Sequence, residues 1–186
     1  PCDQWKKCIE LNIDIATTSI EHLNNIIEGA KLCNKIARIH IKVDTGLGRN
    51  GIMPNDLPAL VDLLLEAKSN NLVDIIGVFQ HFAIADSPNS PTIQKQIDIF
   101  KDVIIYLESR GLNNLIKHAA NSAAVLTSSH AHFDMVRPGI AIYGISPGGE
   151  VGPPEQYNLR PAMSLRCQIA LIKNVPYGHG ISYGGD

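Results

Sequence analysis

Ile36-Ala37-Arg38-Ile39-His40-Ile41-Lys42-Val43, a glycine-rich loop over Asp44–Gly51, a helical pattern from Asn55 to about Ser69, and Val73–Phe79 form the run whose reading decides the fold. Both flanking segments are rich in β-branched residues, and strand, loop, helix, strand predicts a parallel pair joined by a crossover helix. The same alternation continues in both directions. Upstream, Asn12–Ala16 reads as a short strand, and Thr18-Ser19-Ile20-Glu21 matches a capping box opening a helix through about Leu32. Downstream, Ser90-Pro91 starts a long helix with proline at its first position and Gly111 just past its end. Leu115–His118 and Met135–Tyr143 read as two further strands. Largely apolar strands fit burial on both faces of a parallel sheet. A barrel and a doubly wound sheet both satisfy this pattern. A complete (β/α)8 barrel takes ~250 residues, so a barrel reading makes this chain part of one.

Past the barrel-like region the composition changes. Ser146-Pro147-Gly148-Gly149 and Gly152-Pro153-Pro154 carry the signal of a linker. Ala162–Lys173 then reads as a strand, and Val175–Ser182 as a turn into another. The expected division is 1–146 for the C-terminal part of a barrel, 147–161 for a linker, and 162–186 for the start of a β-rich C-terminal domain. The net charge of −2 over 186 residues and the scattered basic side chains give no footprint for nucleic acid. No apolar run approaches the ~20 residues that span a bilayer. The first residues lack a signal-peptide pattern, and the absent initiator methionine implies that the natural N-terminus lies upstream. Cys2, Cys8, Cys33 and Cys167 form no C-x-x-C pair and no zinc spacing, which predicts ordinary thiols in a reducing, cytoplasmic setting.

Several residues stand where strands meet loops, the place at which parallel α/β folds build sites. Arg137 lies at the edge of the apolar run Val136–Gly144; it keeps its proton and offers five donors but no acceptor. Beside it, the N–H groups of Gly139 and Ile140 can face an anion or an acceptor-bearing ring. Gly46-x-Gly48-x-x-Gly51 follows a strand, but Pro54 and Asn55 start the helix too late for a dinucleotide fingerprint. The loop is read instead as presenting Arg49, with Lys42 seven positions earlier on the strand. His81 and His118 follow strand ends, and Ser122 starts an Ala-rich helical segment suited to an anion. No pair of ligands has helical i, i+4 spacing, so a metal is not expected. His130 and His132 fit a solvated loop. Tyr183 sits among glycines, and as a base it needs a lowered pKa, since a free phenol titrates near ~10.

Taken together, these strings resemble the alanine racemases, a family of pyridoxal-phosphate isomerases with a (β/α)8 barrel and a C-terminal β domain. The matching runs are Lys42–Gly51, His81–Asp86, His118-Ala119-Ala120-Asn121-Ser122-Ala123-Ala124, Val136–Gly144 and Ile181-Ser182-Tyr183-Gly184, in the family's order. The resemblance implies roles. Arg137 donates to the cofactor's pyridine nitrogen and leaves it largely unprotonated, which favours racemisation. Ser122 and the N–H groups of Gly139 and Ile140 hold the phosphate, with Asn121 and His118 also at the cofactor. Arg49 meets the substrate carboxylate and is steadied by Lys42, which the family often carries as a carbamate. His81 links Arg137 to the tyrosine, and Tyr183 is one of two opposed bases, acting in the partner subunit of a homodimer. The implied activity is interconversion of L- and D-alanine, supplying D-alanine for cell-wall peptidoglycan, with no membrane or nucleic-acid partner.

One departure bears on activity. The family's Schiff-base lysine lies on its first barrel strand, and no segment of this sequence matches that strand. The expectation is an internal fragment of a racemase, inactive alone, with an open sheet edge that lowers solubility. Two rival readings are a serine-preferring racemase and a non-catalytic pyridoxal-phosphate-binding barrel protein. Decarboxylases of this fold place a carboxylate at the pyridine nitrogen, so Arg137 argues against them. Tyr183, beyond the linker, argues against the non-catalytic barrel.

Overall fold

The computed structural model describes residues 4–185, so Cys2 and the final residue of the expected second domain lie outside the described residues. Four strands, β1 (Ile15–Thr17), β2 (Ala37–Lys42), β3 (Val73–Phe79) and β4 (Ile116–His118), form one sheet in the order β1-β2-β3-β4, and every pair is parallel. The crossovers are α2 (Ile20–Cys33), α3 (Leu57–Ser69) and α4 (Pro91–Ser109); α1 (Gln4–Glu10) precedes β1 and α5 (Ser122–Thr127) follows β4. The spatial order follows the chain order without reversal. A doubly wound sheet reverses at its switch point, whereas a barrel does not. The sheet is therefore a segment of a (β/α)8 barrel.

The core lies between the sheet and its helices. Ile39, Ile41 and Val43 from β2 and the residue after it are buried with Leu60, Val61 and Leu64 of α3 and Ile97 and Phe100 of α4. The other face of the sheet is more polar than the expectation of largely apolar strands. In β2 the apolar residues alternate with Arg38, His40 and Lys42, and the last two are buried. Period-two alternation sends these polar side chains to the barrel interior, where the chemistry of such folds is assembled.

Several local expectations are corrected. The N-cap of α2 is Ser19, whose hydroxyl accepts from the His22 N–H at 3.1 Å, one residue later than a Thr18–Glu21 box implies. Thr18 instead pairs with the His22 ring. Asn55 does not cap α3; Asp56 holds that position without a side-chain bond, and Pro58 sits in the first turn. The short helix α1 escapes a sequence reading. It is held by packing, with Trp5 4.2 Å from the His22 ring and Ile9 fitted against Gly29. Met135–Tyr143 is not a strand: Met135 makes one parallel bridge to His118, and Ile140–Tyr143 is a 3-10 turn. Pro138 supplies no N–H for a ladder and fixes its φ, so pairing stops beside Arg137. Ala162–Lys173 forms no strand either, since among the described residues no segment pairs with it. Cys8, Cys33 and Cys167 are free thiols.

Candidate active site

Arg137 occupies the centre of the strand-end region. Its NH1 donates to His118 Nδ1 at 2.7 Å, and its NH2 donates to the carbonyls of Gln80 at 2.8 Å and Ala119 at 3.3 Å. The His81 Nδ1 lies 3.4 Å from the same NH2. The backbone N–H of Arg137 bonds the Ala120 carbonyl, which fixes the residue beside the end of β4. Beneath the guanidinium lies the Phe79 ring at 5.0 Å, parallel to the His118 imidazole at 4.7 Å. All these partners are neutral acceptors or a ring face. Among the described residues no carboxylate pairs with Arg137. A half-buried guanidinium without a counter-ion is costly unless a ligand supplies an acceptor.

The cations around this point decide the protonation of their neighbours. Burial, reinforced by Arg137 and His40, pushes His118 down to about 3. Burial, with Arg137, Arg49 and Lys42, pushes His81 down to about 4. Both imidazoles are neutral at physiological pH. Lys42, 3% exposed, donates to the Val43 carbonyl at 3.0 Å and faces the Phe79 ring. Burial lowers it to about 8 against the support of Asp44, with Arg137 and Arg49 adding to the fall. A minor fraction of this amine, on the order of a tenth, is uncharged near neutral pH.

Ser122 is buried at the first position of α5, and the N-cap is Asn121, whose side chain accepts from the Ala124 N–H. The Ser122 hydroxyl oxygen accepts from the N–H groups of Gly139 at 2.7 Å and Ala141 at 3.3 Å. With both lone pairs used, its remaining capacity is to donate. The sequence reading left the Gly139 N–H free; here it ties the turn after Arg137 to α5. Ile140 opens the 3-10 turn, where an N–H has no intrahelical carbonyl to reach. A cavity of about 340 Å³ is lined by His81, Asp86, Asn121, Ser122, Arg137 and Gly139. A larger hollow of about 510 Å³ lies between α3 and α4, but Met53, Leu57, Val103 and Tyr106 line it and no cation does. The donors converge on the smaller one.

The glycine-rich loop is organised around its own aspartate. The Asp44 carboxylate accepts from the N–H groups of Gly46, Leu47 and Gly48, so these amides are not turned toward a phosphate. Arg49 is exposed beyond them. It remains near enough to lower His81 and Lys42. Tyr183 is fully exposed and does not reach this cavity.

A sequence reading passes over Gln96 and the Phe79 ring. Gln96, 1% exposed on α4, donates to Thr45 Oγ1 and the His81 carbonyl and accepts from the Ala83 N–H, joining the loops after β2 and β3. A glutamine among apolar positions of a long helix, at the spacing of Ile93, Ile97 and Phe100, is the signal that finds it.

The fold and site define a parallel β/α-barrel protein with an unneutralised arginine at its strand ends. A family model described as alanine racemase, N-terminal domain, matches residues 1–147, and the chain belongs to the alanine racemase family. It is 44% identical to an alanine racemase of Frankia casuarinae, covering 98% of this chain and 48% of that protein. It is 42% identical to one of Streptomyces coelicolor, covering 99% and 47%. The crystal structure of alanine racemase from D-cycloserine-producing Streptomyces lavendulae superposes with a TM-score of 0.93 at 45% identity, covering 97% of this chain and 47% of that one. The chain spans about half the length of the curated relatives it matches.

Proposed function

We propose that the protein carrying this chain interconverts L- and D-alanine with pyridoxal phosphate, as a cytoplasmic homodimer supplying D-alanine for peptidoglycan. The observation that carries this reading is Arg137, a donor-only side chain held by neutral partners and, among the described residues, paired with no carboxylate, although Asp86 lines the same cavity. That donor set fits the cofactor, which brings a ring nitrogen acceptor and a phosphate. Arg137 would hold the ring nitrogen, while the Ser122 hydroxyl and the Ile140 N–H would hold the phosphate beside Asn121, with the Gly139 N–H fixing the Ser122 hydroxyl in place. His118 acts on the cofactor through Arg137.

The chemistry supplied by pyridoxal phosphate, when bound, is electron withdrawal that acidifies the Cα–H of an attached amino acid. Arg137, unable to release a proton, would hold the ring nitrogen by a hydrogen bond without protonating it, which would limit that withdrawal and disfavour side reactions. Arg49 binds the substrate carboxylate. The uncharged fraction of Lys42 adds carbon dioxide at Nζ with loss of a proton, and the resulting carbamate converts a cation repelling Arg49 into an anion that steadies it. Tyr183 moves a proton at Cα on one face of the substrate, in the partner's site. Its exposure outside its own chain's cavity favours that assignment. The opposing lysine of the family has no counterpart in these 186 residues. The domain division at 146 and 161 accompanies this reading; the family match ending at residue 147 supports the first boundary.

The test is chiral separation of products after the complete protein is loaded with pyridoxal phosphate and given L-alanine or D-alanine. Enantiomers have equal free energies, so both reactions end at equal amounts of the two forms. Carbon dioxide release, or no turnover with saturating cofactor, contradicts the proposal. Faster turnover of serine than alanine selects the serine-preferring reading.

A further inference from the structure

Behind Arg137 runs a line of side chains across the interior face of the sheet. Arg137 NH1 lies 2.7 Å from His118 Nδ1, His118 Nε2 lies 2.9 Å from His40 Nδ1, and His40 Nε2 lies 3.2 Å from Asp14 Oδ2. Arg38, the neighbouring cation, donates to both Asp14 oxygens, Nε to Oδ1 and NH2 to Oδ2 at 3.3 Å. The line crosses from β4 to β2, which are not neighbours: β3 stands between them. Two strand spacings are ~10 Å, and adjacent rings meet over that distance only if the middle strand yields its place.

Gly77 yields it. It pairs with His40 on one side and Ile116 on the other. A Cβ at Gly77 would lie 2.6 Å from His40 Nδ1, the atom that meets His118, and 2.6 Å from the Ile116 carbonyl oxygen. The register between β2 and β3 also shifts at Ile39/His40, so that Gly77 rather than Ile76 stands opposite His40. Bulges of this kind re-aim side chains near sites.

The line has a polarity set at both ends. A guanidinium only donates and an ionised carboxylate only accepts, whereas a neutral imidazole does one of each. The single consistent assignment is Arg137 to His118 Nδ1, His118 Nε2–H to His40 Nδ1, and His40 Nε2–H to Asp14. An extra proton on either ring sets N–H against N–H. Burial lowers the pKa of both rings, in keeping with a line that carries no extra proton.

We propose that Asp14 and His40 are positioning residues that act through His118 to fix the aim of Arg137, and that Gly77 is the opening in β3 that lets them do so. The proposal rests on the reading of Arg137 as the cofactor's donor, but its first test needs no cofactor. Nitrogen NMR of the imidazoles in the complete, cofactor-free protein should show both His40 and His118 as neutral Nε2–H tautomers. Asp14→Asn offers one oxygen for two donors, Arg38 and His40. It should introduce Nδ1–H tautomer at His40 and His118 and, in the loaded enzyme, lower kcat about tenfold with KM little changed, the scale of losing an outer hydrogen-bond partner. Asp14→Glu should restore both readouts. Gly77→Ala should separate the two rings and abolish their coupled shifts; if it does not fold, Asp14→Asn decides. Nδ1–H tautomers in the wild-type protein overturn the proposal. So does an Asp14→Asn variant with unchanged tautomers and kcat. A wild-type protein that has the assigned tautomers but does not racemise alanine overturns the functional reading and leaves the assigned line standing.

Discussion

At Arg137 the donors go to a histidine nitrogen and two backbone carbonyls, so the charge itself is left to a ligand. Arg137→Gln removes that charge while keeping a polar side chain of similar reach. It should lower kcat/KM for alanine by about 10²–10³-fold, the range for removing one preorganised donor. Steady-state kinetics of the loaded protein check this. The histidines give a second prediction, on stability. His118 titrates at about 3 and His81 at about 4 in the folded protein. Unfolded histidine titrates near ~6.5, so the unfolded chain binds more protons through the interval between these values. Stability from these two rings is therefore complete above about pH 6.5 and is lost as pH falls through the folded values. Denaturant melts at successive pH values should show that slope, and His118→Asn should reduce proton uptake on unfolding by about one between pH 4.5 and 6.

At the scale of elements, the loops after β2 and β3 are held by α4 through Gln96, while Asp44 organises the glycine-rich turn that precedes Arg49. Gln96→Leu keeps the volume but strands the Ala83 N–H and takes a donor from the His81 carbonyl, while the Thr45 hydroxyl keeps its bond to Gln80. Leaving buried partners unpaired should cost about 2–3 kcal/mol and lower the melting temperature by several degrees. Elements with strong local signals were legible: β3, the start of α4 at Ser90-Pro91, and its end before Gly111 follow from β-branching, proline and glycine. The helix α1 was not, because its seven residues depend on Trp5 and Ile9 packing against α2. Nor was the end of the Met135–Tyr143 run, where apolar composition outweighed the one proline that stops a ladder.

At the scale of the molecule, chain order alone left a barrel and a doubly wound sheet open, and the unreversed strand order decides between them. The site was legible as a set of strand-end residues: Arg137, His81, His118, Ser122 and Gly139 meet in one region. What spacing did not show was the depth behind them. Arg38-Ile39-His40-Ile41-Lys42 alternates polar and apolar residues, a period that marks an interior polar face, yet the contact of His40 with His118 depends on Gly77 from a third strand. Such a meeting is a property of register, which no single segment carries. Arg137 as the donor to an unprotonated ring nitrogen is the central claim. It is tested by nitrogen NMR of the complete protein loaded with pyridoxal phosphate isotopically labelled at that nitrogen. The predicted shift is that of a neutral, hydrogen-bonded pyridine, moving in Arg137→Gln; a pyridinium shift in the wild-type protein would contradict the account.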